Sequence, residues 1–96
     1  MARFVMLLNY TDKGIAQVKD SPHRADDFRA VAAKHGAKVE VQLWTMGAYD
    51  GVVVLTAADD AAAAALAMSL GQLDCVRSTT LRAFDEAEFQ AILGRI

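Results

Sequence analysis

Two groups of polar residues carry the chemistry this chain could perform. The first is Tyr49-Asp50, just after Gly47-Ala48 in a turn-forming stretch. A phenol beside a carboxylate can hold a small ligand, or exchange a proton with one as a general acid or base. The same pair has a purely local use, with the aspartate accepting backbone N–H bonds while the tyrosine packs. The second group lies on a later strand. Ser78, Thr80 and Arg82 alternate in sequence, so they share one face of that strand. Together with Asn9 and Trp44 they would line a cleft. The guanidinium would take an anionic group, the hydroxyls would orient it, and the indole would stack. Against that reading stand the β propensity of threonine and a structural Arg82 ion pair across a dimer. The sequence leaves both alternatives open.

Other reactive residues read as structural. His23 and His35 are not joined by cysteines or acids in a ligand set, so no metal site is expected. Cys75 has no adjacent histidine and reads as a small buried hydrophobe. Ser21-Pro22 is a helix start, with Ser21 as cap and Pro22 in the first turn. Gly14 stands alone, and no phosphate loop is indicated. No cofactor is expected.

The elements that must position these residues follow from periodicity. Ala2 to Tyr10 is apolar on both alternating faces in its middle and reads as a central strand. Thr11 caps a short helical turn through Ile15 and Val18. A helix from Ser21 to about His35 carries the stripe Ala25, Phe28, Val31, Ala32 and His35, with Gly36 as its stop. Val39 to Met46 alternates, with Val39, Val41 and Leu43 toward a core and Glu40, Gln42 and Trp44 away from it. A hairpin leads to a strand from Tyr49 to Thr56, rich in β-branched residues. Asp59-Asp60 opens a helix through the Ala61–Ala65 run, with Ala62, Leu66, Leu70 and Leu73 as its buried stripe. Cys75 to Phe84 is the last strand. Asp85 and Glu88 form a capping-box pair ahead of a helix carrying Phe89, Ile92, Leu93 and Ile96.

The order is β-α-β-β-α-β-α. Less its last helix, it is the split βαβ of an α+β, ferredoxin-like βαββαβ fold with a four-stranded antiparallel sheet. Helices cover one face. The other carries Val5, Leu7, Trp44 and the valines of the third strand or Tyr49, which is too apolar to stand in water. A second copy covering it would give a dimeric α/β barrel.

Composition sets the outer limits. The chain has 96 residues, 54% of them hydrophobic but only 7% aromatic, and is read as one domain. A domain this small hides only about 60–65% of its unfolded surface, so the apolar excess points either to an unusually dense core or, the favoured reading, to burial between subunits in a homodimer or higher homo-oligomer. A net charge of -2 leaves no basic footprint for nucleic acid. No apolar run is long enough to span a bilayer, and no signal-peptide pattern opens the chain. With one cysteine, the expected location is the cytoplasm.

Several runs resemble the GYD-domain family: Asn9-Tyr10-Thr11-Asp12-x-Gly14-Ile15, Lys19-Asp20-Ser21-Pro22-x-Arg24, Trp44-Thr45-Met46-Gly47-x-Tyr49-Asp50, and Val76-Arg77-x-x-Thr80-Leu81-Arg82-Ala83-Phe84. Ala58 departs from a common proline, and Asp74-Cys75 from Gly-Asn. The resemblance implies membership of the dimeric α/β-barrel group. Its wider relatives include cofactor-independent monooxygenases, small isomerases, haem enzymes and the ligand-sensing module of Lrp/AsnC-type regulators. That module has a similar Thr-Gly-x-Tyr-Asp hairpin, matched here by Thr45 to Asp50 with one extra residue. It also has a Val-x-x-Thr-x-Thr strand, matched by Val76 to Thr80. The chain leaves no room for DNA-binding helices. Three functional expectations result: a small-molecule-binding or sensor-like module, a cofactor-independent enzyme using Tyr49 or Asp50, or a structural assembly subunit.

Overall fold

The computed structural model describes residues 1–96. Four strands form one antiparallel sheet in the order β2-β3-β1-β4: β1 (Ala2–Tyr10), β2 (Lys38–Trp44), β3 (Gly51–Ala57) and β4 (Val76–Ala83). The helices are α1 (Asp12–Ala16), α2 (Ser21–Lys34), α3 (Asp60–Gln72) and α4 (Glu86–Leu93), with a 3-10 turn at Val18–Asp20. This is the ferredoxin-like α+β arrangement that the element order demands.

Register sorts the side chains into two faces. Phe4 pairs with Leu55 and Arg82, Met6 with Val53 and Thr80, and Leu8 with Gly51 and Ser78. These residues share the helix-covered side. Phe4, Met6, Val53 and Leu55 meet Phe28, Ala32, Ala63 and Leu66 there in one buried cluster. Each large member contributes about 1.5–3 kcal/mol by leaving water. The small alanines of α2 and α3 allow close approach to the sheet.

Strand β2 departs from the alternation expected of it. Its register slips between Val39 and Val41, so Glu40 is an extra residue in a β-bulge. Val39 pairs with Leu55 and packs on the core, whereas Val41 and Leu43 pair with Val54 and Val52 on the helix-free side. Gln42 and Trp44 pair with Val53 and Gly51 and so face the helices. Trp44 is therefore not part of the helix-free face. That face instead carries Val5, Leu7, Val41, Leu43, Val52, Val54 and Leu81. β3 also begins later than expected, because Thr45 to Asp50 form the connection. Within it Gly47 has φ 109°, a value side-chain-bearing residues rarely adopt.

The helix starts are of two kinds. Asp59 accepts from the Ala62 N–H, and Asp85 with Glu88 completes a reciprocal capping box, as their spacing predicts. Ser21 is not the cap of α2. It is the first helical residue, and its hydroxyl meets the Tyr10 hydroxyl at 2.6 Å. His35, expected on the buried stripe of α2, is the exposed C-cap residue.

Candidate functional site

Three hydrogen bonds tie the end of β1 to the β2–β3 connection, and two more close the connection on itself. The Asp50 N–H donates to the Leu8 carbonyl at 2.7 Å, and the Tyr10 N–H donates to Asp50 Oδ2 at 2.8 Å. Asn9 Nδ2 donates to the Ala48 carbonyl at 2.8 Å. Thr45 donates from its N–H to the Asp50 carbonyl at 3.0 Å and from Oγ1 to the Tyr49 carbonyl at 2.6 Å. Asp50 therefore continues the β1 ladder with its side chain, where β3 has not yet begun. The connection that holds Trp44 inherits this order.

Beside that bracket lies a cleft of ≈ 70 Å³, between the helix-covered face of the sheet, the start of α2 and the end of α3. Its walls are mainly apolar: Leu8, Phe28, Val53, Leu70, Leu73 and Val76, with the half-exposed Trp44. Tyr10, Ser21, Arg24, Gln42, Asp50 and Cys75 add polar or polarisable groups. The volume is small beside ordinary ligand pockets of roughly 300–1,000 Å³, so a bound molecule would fill it only in part and extend through the open side. Asp50 Oδ2 is occupied by the Tyr10 N–H, while no protein donor reaches Oδ1 and no cation lies within 4.0 Å of the carboxylate. Arg24, although a wall residue, directs its guanidinium to the Gln17 carbonyl at 2.9 Å.

The floor depends on one close approach. The Thr11 N–H donates to the Cys75 carbonyl at 3.1 Å, and a Cβ on Gly14 would sit 1.8 Å from that same oxygen. Only glycine lets α1 lie against the start of β4. Asp74, immediately before, has φ 60°, in the left-handed region that aspartate tolerates better than most residues. This is the position where the family resemblance calls for glycine.

The seven residues singled out from sequence do not form one cluster. Trp44 and Asp50 line the cleft. Asn9 points to the opposite face of β1 and is used in the bracket. Tyr49 is a connection residue whose carbonyl accepts from Thr45. Ser78 and Thr80 lie on the helix-covered face of β4 outside the cleft walls. Arg82 lies at the other end of the sheet. It faces Asp60 at 3.8 Å and Glu88 at 3.7 Å, stacks over the Phe4 and Phe84 rings at 5.5 and 4.6 Å, and donates to the Ala83 carbonyl. Its ion pairs are within the chain. Tyr10, Ser21, Phe28 and Cys75 were not singled out as ligand-facing. The available signal was Tyr10 ending the even face of β1 and Ser21 opening α2, which the fold brings together.

Fold and cleft together define a ferredoxin-like α+β module with a pocket between sheet and helices. The chain belongs to the GYD-domain family: the GYD domain profile matches residues 4–93. Comparison with curated proteins and with solved structures finds no significant match. No helix is long and apolar enough to cross a membrane.

Proposed function

We propose that this GYD-domain chain is a cytoplasmic, homodimeric small-molecule-binding module whose ligand sits in the cleft between the sheet and the α2–α3 layer. The observation that carries the reading is Asp50: one carboxylate oxygen is fixed by the Tyr10 N–H, and the other takes no protein donor at the margin of an apolar cleft. The ligand matching that environment has a compact apolar or aromatic body and a hydrogen-bond-donating amine or hydroxyl. Arg82 supported an anionic ligand in the sequence, but its charge is engaged by Asp60 and Glu88 away from the cleft. The dimer reading rests on the helix-free face, where Leu43 is 54% and Val41 40% exposed beside Val5, Leu7, Val52 and Val54.

Trp44 is the only tryptophan, so its fluorescence reports on the cleft directly. Titration with phenols, aromatic amines and aromatic carboxylates should give saturable quenching by donor-bearing compounds, weakened in Asp50→Asn. Absence of saturable quenching by every compound, or identical affinities in wild type and variant, would overturn the binding reading. Sedimentation equilibrium tests the dimer independently, and a stable 10.3 kDa particle at micromolar concentration would remove it.

A further inference from the structure

The inference concerns α4 and rests on the dimer reading above. No residue of α4 is buried, and no other element packs broadly against it. Phe89 and Leu93 lie one turn apart, 52% and 49% exposed. The first turn of the helix is nevertheless held in place. Its capping box closes at 2.8 Å and 3.1 Å, Asp85 faces Arg3 at 3.8 Å, and Glu88 faces Arg82 at 3.7 Å. It is an aimed element with an unused apolar stripe.

Shape and area say what it is aimed at. The radius of gyration is 14.2 Å, against about 12.5 Å for a compact chain of this length. The longest extent is 48 Å, whereas a nine-residue strand reaches only about 30 Å. The accessible surface is 6176 Å², roughly 800 Å² more than the ~5,350 Å² of a compact monomer of this mass. A stable dimer commonly removes about 800 Å² from each partner, close to that excess. The half-exposed Phe89 and Leu93 contribute to it. A lipid surface suits α4 poorly, because its first turns carry Asp85, Glu86 and Glu88, whereas interfacial helices are rich in lysine and arginine.

We propose that α4 is an arm that docks on a second copy of this chain, with Phe89 and Leu93 extending the sheet-to-sheet contact beyond the sheets. The test is sedimentation velocity across a dilution series of wild type, Val54→Lys, and the double variant Phe89→Ser with Leu93→Ser. Both substitutions in the double variant are at exposed positions remote from the core. The expected pattern is a wild-type dimer, a monomeric Val54→Lys protein, and a double variant whose dissociation constant rises about tenfold or more. A double variant as tight as wild type, with Val54→Lys monomeric, overturns the arm and leaves the dimer standing. A monomeric wild type overturns both. Chymotryptic cleavage after Phe89 should also slow as protein concentration rises, and cleavage independent of concentration would count against the arm.

Discussion

The two ends of the sheet arrange their charges differently. Where β1 begins, Arg3 faces Glu40 and Asp85, and Arg82 faces Asp60 and Glu88. Both arginines there have two acids, and Arg82 also covers two aromatic rings. Where β1 ends, Asp50 has no cation. It holds one backbone N–H and leaves its second oxygen without a protein donor beside an apolar cleft. Mutual pairing closes the first end and fixes the roots of α3 and α4. The carboxylate leaves the second end without an ion pair, which is why the proposed ligand is placed there.

Substitutions at each end test this contrast. The largest expected effect is at the floor of the cleft end. Gly14→Ala forces a methyl into the Cys75 carbonyl and should cost about 3 kcal/mol or more, lowering Tm by roughly 12 °C or more. Thermal unfolding checks it, and a change below about 3 °C would show that α1 can retreat at little cost. Next is Asp50→Ala, which strips the Tyr10 N–H of its charged acceptor and should cost about 2 kcal/mol in urea unfolding. Asp50→Asn keeps an acceptor and should cost about half as much while still weakening ligand quenching. At the closed end, Arg82→Ala should cost only about 1 kcal/mol. Its ion pairs are long and partly screened, and the ring contacts are partly exposed. It should leave Trp44 quenching unchanged, and a loss of quenching there would break the contrast between the ends. The smallest effect on stability is Trp44→Phe, about 0.5 kcal/mol or less at a half-exposed position. Calorimetry should then show ligand affinity reduced but not abolished.

Much of the fold was legible because its signals are local. The capping residues Asp59 and Asp85, the Gly36 stop, the Thr11 cap and the apolar runs of β1 and β3 each mark an element without reference to the rest of the chain. The bulge was not. Val39, Val41 and Leu43 alternate perfectly in sequence, and nothing in their identities reveals that one residue between them is unpaired. That single slip moved Trp44 from the helix-free face to the cleft. The site was only half legible for a related reason. Asp50 and Trp44 were visible through the turn, but Tyr10, Ser21, Phe28 and Cys75 come from separate elements and meet only through tertiary packing. Arg82 misled because an arginine alternating with hydroxyls looks the same whether or not acids from the helices before and after it already surround it.

The bulge at Glu40 also bears on how copies can join. β2 is an outer strand, and the backbone groups along its unpaired side are a template on which another strand could grow. An extra residue breaks the even spacing of those groups near the start of the strand. A neighbour trying to lengthen the sheet sideways would find its ladder interrupted there. Open-ended fibrous growth is thereby disfavoured, although the chain exposes enough apolar surface to make it a hazard.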